Sequence, residues 1–305
     1  MKLVSAFFRL IRLPNLIFII LTQALFYFCI YIPLYQQHQY KKFLLLMLAS
    51  VVIAAAGYII NDYFDINIDQ VNKPTKNVVD KIINRRWAIF WHSFLSLAGI
   101  VATAFAGGSA QWYLVLANIG CVVLLWVYST SFKRQFLIGN VVISVLTAWT
   151  VLILFFAFAE PDNAFRTTDP LSIKFFRLAF LYGGFAFIIS LIREAVKDME
   201  DIEGDARYNC KTLPVISGVK AAKMYVLIWT VVLIATLAIL QLYILQFGWW
   251  HASLYGILLV IVPLIYLARK VNSANTSAEF HALSNISKLV MLTGILSMLF
   301  FAFYF

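Results

Sequence analysis

The chain has 305 residues, of which 63% are hydrophobic and 12% charged, with a formal net charge of +10. Ordinary soluble domains carry about 25% charged residues, so this composition and a mean hydropathy of +0.86 exclude a soluble domain and point to a polytopic membrane protein. The basic residues lie between apolar stretches rather than on a polar domain, which assigns the charge to membrane loops and excludes nucleic acid as a partner.

Residues 1–13 place Lys2, Arg9 and Arg12 ahead of an apolar run, as in a signal peptide, but no small-residue cleavage site follows and further apolar runs come after. A retained first helix is expected. Helices are predicted over residues 14–33, 43–62, 87–106, 112–128, 138–158, 175–194, 221–245, 251–268 and 283–305, each near the ~20 residues that cross ~30 Å of hydrocarbon. The expected fold class is therefore all-α: nine transmembrane helices in a single domain over residues 1–305, without a soluble module. Eighteen of the 24 Lys and Arg residues fall on the N-terminal side of the membrane and five on the other. By the positive-inside rule the N-terminus faces the cytoplasm, and a bacterial inner membrane is the expected location. Cys29, Cys121 and Cys210 are isolated and expected to be packing residues, not ligands.

Two acidic stretches organise the chain. Residues 61–69 read NDYFDINID and residues 197–205 read KDMEDIEGD. Carboxylates fall at Asp62, Asp65 and Asp69 in the first and at Asp198, Asp201 and Asp205 in the second. The spacing of three then four puts each set on one helix face, with Glu200 and Glu203 off that face and expected in solvent. Glu194 continues the second stripe or pairs with Arg193 or Lys197. The two sets lie 136 residues apart, at the ends of the second and sixth predicted helices and hence on one membrane side. Two four-helix pseudo-repeats plus one helix would produce this arrangement.

Aspartate and asparagine oxygens are hard ligands suited to Mg²⁺, which keeps several waters and takes one or two carboxylates plus substrate phosphates. Facing acid sets would hold Mg²⁺ and share a diphosphate, while basic residues in the following loops neutralise charge on a leaving group. No Gly-rich phosphate loop is present. His38, His92, His251 and His281 are scattered and none adjoins a motif, so covalent catalysis has little support; His38 reads as a loop residue, His92 and His251 as interface residues. A cation-coupled transporter is the alternative from another class. Its acids should sit near the bilayer midplane, whereas these lie at helix ends beside basic loops.

Residues 61–69 resemble the NDxxDxxxD motif of the UbiA superfamily of intramembrane prenyltransferases, and residues 198–205 resemble its second Asp-rich motif. The stretch YSTSFKR at 128–134 is similar to that superfamily's YSxxLKR loop, RLPN at 12–15 to the entry of its first helix, and TLPV at 212–215 to the segment after its second motif. Within the superfamily, residues 193–205 look most like those of digeranylgeranylglyceryl phosphate synthases. The loop after the first motif departs from the family pattern beyond Asn72-Lys73-Pro74. The resemblance implies Mg²⁺-dependent transfer of a polyprenyl group, geranylgeranyl in that subfamily, from its diphosphate to geranylgeranylglyceryl phosphate, the alternative acceptor being an aromatic such as 4-hydroxybenzoate. It implies that Asn61, Asp62, Asp65, Asp69, Asp198, Asp201 and Asp205 serve metal binding, with Asp65, Asp69, Asp198 and Asp201 central to catalysis. Diphosphate oxygens would meet Lys73, Tyr128, Lys133, Arg134 and Lys197. Arg12 and Asn15 would position the acceptor, though Asn15 also reads as a helix cap. Aromatic side chains within the bundle would stabilise an allylic cation, and the prenyl tail would lie between helices, open to lipid.

Overall fold

The computed structural model describes residues 2–72, 79, 82–159 and 169–304. A short amphipathic helix, α1 (Lys2–Leu10), precedes the first long one. Among the described residues nine helices are long and apolar enough to cross a membrane: α2 (Leu13–Tyr35), α3 (Tyr40–Phe64), α5 (Arg85–Gly107), α6 (Trp112–Thr130), α7 (Ile138–Phe158), α8 (Pro170–Glu200), α10 (Leu213–Leu245), α11 (Trp250–Ser273) and α12 (Ser277–Tyr304). Two short helices, α4 (Ile66–Asn72) and α9 (Ile202–Arg207), follow α3 and α8. The chain is an integral multi-pass membrane protein with every expected span in place.

Several helices run past their expected ends because polar residues continue the helix outside the apolar window. α8 extends six residues beyond 194 and carries Asp198, the first carboxylate of the second acid motif. α10 starts at Leu213 rather than 221, and Gly218, with φ 81° and ψ 160°, kinks its first turns away from the rest. Residues 1–13 form two pieces rather than a single lead into a helix: Arg12 takes the left-handed conformation (φ 51°, ψ 54°), and Pro14 then opens α2. Ala6 and Leu10 bury the apolar face of α1, and Phe7 meets Trp91 of α5 with ring centroids 5.2 Å apart.

Prolines explain two irregular turns. Pro33 and Pro263 lack an N–H for the carbonyl four residues back, and a π-helical turn precedes each, over Phe26–Tyr31 and Ile257–Ile261. In hydrocarbon a freed carbonyl needs another donor. The Thr293 hydroxyl of α12 supplies it to the Leu259 carbonyl at 2.8 Å.

Packing divides the spans into an inner ring and an outer layer. α2, α3, α6, α7, α8 and α12 line one central cavity, and α5, α10 and α11 contribute no lining residue. α5 packs along α3, α10 along α8, and α11 against α10 and α12. Close approach in the α3–α5 pair needs small residues: a Cβ on Gly99 would lie against Ile53. Much of the aromatic content serves the core, not the cavity. Phe26, Tyr27, Tyr31, Phe43, Phe155 and Phe175 are almost fully buried and absent from the cavity wall. Cys29, Cys121 and Cys210 are buried free thiols, as expected.

Candidate active site

The two acid motifs break their helices at equivalent places. The α3 helix ends at Asp65 (φ −91°, ψ 3°) and α8 at Asp201 (φ −96°, ψ 9°). Both lie in the bridge region of backbone space, where active-site residues are common. The turn is slight enough for i to i+4 bonding to continue. Asp65 N donates to Asn61 O at 3.0 Å and Asp69 N to Asp65 O at 2.8 Å. In the second motif Asp201 N donates to Lys197 O at 2.9 Å and Asp205 N to Asp201 O at 3.2 Å. The helical phase of the carboxylates therefore survives the break.

A direct clamp joins the motifs. Asn72, at the end of α4, donates through Nδ2 to the Asp201 carbonyl at 3.1 Å and accepts at Oδ1 from Gly204 N at 2.9 Å. Position 204 must be glycine for this approach, since a Cβ there would overlap the Asn72 amide. Asn72 was not singled out in the sequence because a short polar residue beyond a motif reads equally well as a turn.

The cavity has a volume of about 870 Å³. Its lining on α8 runs from Tyr182 to Asp201, a rise of about 28 Å along the helix. The motif end is polar and the far end is lined by Val151, Phe185, Met291, Ile295 and Met298. All seven expected metal-binding residues line it, together with Arg12, Asn15, Tyr128, Lys133 and Lys197. No side-chain cap is present at the start of α2, so Asn15 does not serve as one. Arg134 is exposed and outside the lining; its carbonyl accepts from Lys211 N at 2.8 Å and ties the 131–137 loop to the segment after the second motif. Lys73 lies outside the described residues.

Each acid set has cationic or amide partners. Lys133 Nζ contacts Asp65 Oδ2, which also accepts from Asn61 Nδ2 at 2.7 Å. Burial disfavours the Lys133 ammonium, but Asp65 outweighs it and holds the lysine above its ordinary pKa. Gly139 lets the Lys133 turn sit close to α7: a Cβ there would lie 3.0 Å from Phe132 O and 3.1 Å from Lys133 Cα. Arg12 Nη2 donates to Asp62 Oδ1 at 2.6 Å, with its guanidinium 5.1 Å from the Tyr58 ring centroid. Asn140 Nδ2, at the start of α7, donates to Asp198 Oδ2 at 2.9 Å. Burial pushes Asp205 up to about 6, against the pull of Lys133.

One expectation is corrected. Glu200 is not in solvent: its side chain is 11% exposed, lines the cavity, and lies 2.8 Å from His281 Nδ1. His281, which adjoins neither motif in sequence, stands beside the second in space. Both follow from the start of α12 folding back along the end of α8, where the Ser277 hydroxyl also bonds the Glu200 carbonyl. Glu203 is exposed as expected. Glu194 is buried and paired with Arg193 at 2.7 Å and Lys197 at 3.7 Å. His92 is buried and satisfied by the Ala56 carbonyl.

The donor set is oxygen-only and suits Mg²⁺. The Asn61 Oδ1 atom is buried without a hydrogen-bond partner, while its amide nitrogen is fixed on Asp65 at 2.7 Å, so a hard acceptor is left over in a residue bound to that carboxylate. Among the described residues no three acidic, His or Cys side chains converge tightly enough to hold an ion alone. That fits a metal completed by water and substrate phosphate, the usual habit of Mg²⁺.

The chain matches the UbiA prenyltransferase family over residues 17–303. Similar curated proteins include the digeranylgeranylglyceryl phosphate synthases of Sulfurisphaera tokodaii, 30% identical over 94% of this chain and 96% of the relative, and of Methanosphaera stadtmanae, 29% identical over 85% and 88%. Among solved structures, a digeranylgeranylglyceryl phosphate synthase in membranes superposes with a TM-score of 0.64 at 23% identity, covering 98% of this chain and 99% of that one. A UbiA homolog from Archaeoglobus fulgidus bound to DMAPP and Mg²⁺ gives 0.60 at 17% identity, covering 96% and 98%. At those identities the structural likeness speaks for the fold.

Proposed function

The chain belongs to the UbiA prenyltransferase family, and from that premise we propose that it transfers a geranylgeranyl group from its diphosphate to geranylgeranylglyceryl phosphate, with Mg²⁺. The observation that carries this reading is the joining of two intact Asp motifs, through Asn72, at the polar end of a deep apolar cavity. The relatives named above are synthases of digeranylgeranylglyceryl phosphate, which supports the glycerol phosphate over an aromatic acceptor.

Asn61, Asp65 and Asp69 would hold one Mg²⁺ and Asp198, Asp201 and Asp205 a second, with Asp62 beside the first. Bound there, Mg²⁺ neutralises charge developing on the departing diphosphate. Lys133 adds a fixed cation on the same oxygens, and Tyr128 and Lys197 line their approach. Lys133 takes the part that sequence alone divided between it and Arg134. As the allylic C–O bond breaks, its electrons leave with the diphosphate and the cation is delocalised over the allyl group. Tyr58, Tyr128 and Trp149 offer aromatic faces in the cavity. The acceptor hydroxyl oxygen then bonds to the allylic carbon and its proton passes to the released diphosphate, provided water is kept out. The apolar far end takes the prenyl tail. Loop charge supports a motif side facing the cytoplasm, and the matching helix breaks 136 residues apart support a duplicated four-helix unit within one domain.

The test uses purified full-length protein in detergent with Mg²⁺, labelled geranylgeranyl diphosphate and either geranylgeranylglyceryl phosphate or 4-hydroxybenzoate. Mg²⁺-dependent transfer to the glycerol phosphate is expected. Transfer to the aromatic alone would overturn the acceptor, and no product with any donor would overturn the enzyme.

A pH dependence follows from Asp205. In the metal-free protein this carboxyl keeps its proton below about 6, and a ligand must lose its proton to bind metal. The half-saturating Mg²⁺ concentration should therefore be level above that pH and rise by up to about tenfold per unit below it. Mg²⁺ activation curves measured from pH 5 to 8 check this. A flat series would remove Asp205 from the metal set.

A further inference from the structure

Deeper than the acid motifs, the wall between α8 and α12 carries a second group of cations and hydroxyls. Contacts along this antiparallel pair fix its register: His281 lies 2.8 Å from Glu200 and Tyr182 Oη 2.9 Å from Ser297 Oγ, with Gly294 against the Phe185 ring between them. Residue numbers run oppositely at equal rise along such a pair, so Lys288 falls level with residues 190–193. Ser190, Arg193, Ser284 and Lys288 all line the cavity. Arg193 is five residues before Asp198, roughly 7.5 Å along the helix, so Arg193 and Lys288 stand more than a turn below Asp198, with Ser284 between them and the carboxylates.

Lys288 carries the argument. It sits eleven residues inside an apolar span, where a cation is costly and marks a binding or transfer path. Nearby, Arg193 Nη1 lies 2.7 Å from one Glu194 oxygen and Lys197 Nζ 3.7 Å from the other. The cations paired to the first acid motif, Arg12 and Lys133, come from other walls.

We propose that Arg193 and Lys288, with Ser190 and Ser284, bind the phosphate of a lipid phosphomonoester acceptor at a subsite separate from the diphosphate. Two cations and hydroxyl donors match a dianionic phosphate, and the distance to Asp198 leaves room for the acceptor's hydroxyl-bearing carbons between the subsites. This inference rests on the reading of the acceptor as a glycerol phosphate. An acceptor without a phosphate would gain nothing from Lys288.

The test compares geranylgeranylglyceryl phosphate with its dephosphorylated analogue, geranylgeranylglycerol, in wild type, Lys288→Met and Lys288→Arg. Methionine keeps the length and suits a membrane span, so folding is preserved. In Lys288→Met the KM for the phosphorylated acceptor should rise about tenfold or more, the value of a charge-assisted contact. The KM for the donor should hold, the preference for the phosphorylated acceptor should shrink, and Lys288→Arg should restore it. An unchanged preference in Lys288→Met, or a rise confined to the donor KM, would overturn the subsite while leaving the prenyltransferase reading intact. Failure of wild type to use the phosphorylated acceptor at all would overturn both.

Discussion

Replacing Asp65 with asparagine is expected to lower kcat by about 10²–10³-fold, the loss seen when one stabilising group for transition-state charge is removed. Asp65 is 2% exposed, sits where α3 breaks, and is shared by Asn61 and Lys133. The substitution removes the anion that keeps Lys133 charged and aimed at the site. A change to alanine would add a stability loss, because deleting one partner of a buried pair costs about 3–5 kcal/mol. The two effects separate in the double variant Asp65→Asn, Lys133→Met, which removes the stranded cation. Its thermal stability in detergent should return toward wild type while its activity stays lost. Recovery of activity in the double variant would show that Asp65 serves the fold alone.

Gly204→Ala is expected to reduce transfer by about 10²-fold, since a displacement on the order of 1 Å in a catalytic constellation has that effect. The added methyl would overlap the Asn72 amide, which binds both the Asp201 carbonyl and Gly204 N. Either α9 moves away from α4, carrying Asp205 with it, or the Asn72 side chain swings off and the clamp opens. Asn72→Ala removes the same clamp by deleting its donor and acceptor. Because both variants break one contact, the double variant Asn72→Ala, Gly204→Ala should be scarcely worse than either single one, a non-additivity that kinetics of the four proteins measures. Additive losses would mean that the motifs are aligned by other contacts.

Local information in the chain determined a good deal. Nine apolar stretches define nine spans because every backbone group in hydrocarbon must bond within its own helix, and the three-four spacing of the acids sets their common face through helical geometry alone. The spacing held even through breaks at Asp65 and Asp201, which no propensity marks. Tertiary structure decided which groups meet. Asn140 on Asp198, Asn72 between the motifs, Glu200 with His281 and the level placement of Lys288 and Arg193 all join residues far apart in sequence. Sequence could not separate the inner ring from α5, α10 and α11, or cavity aromatics from core aromatics. The reason is physical: a helix face meeting lipid and a face meeting protein are both apolar, so hydrophobic patterning in a membrane carries little record of which side faces in.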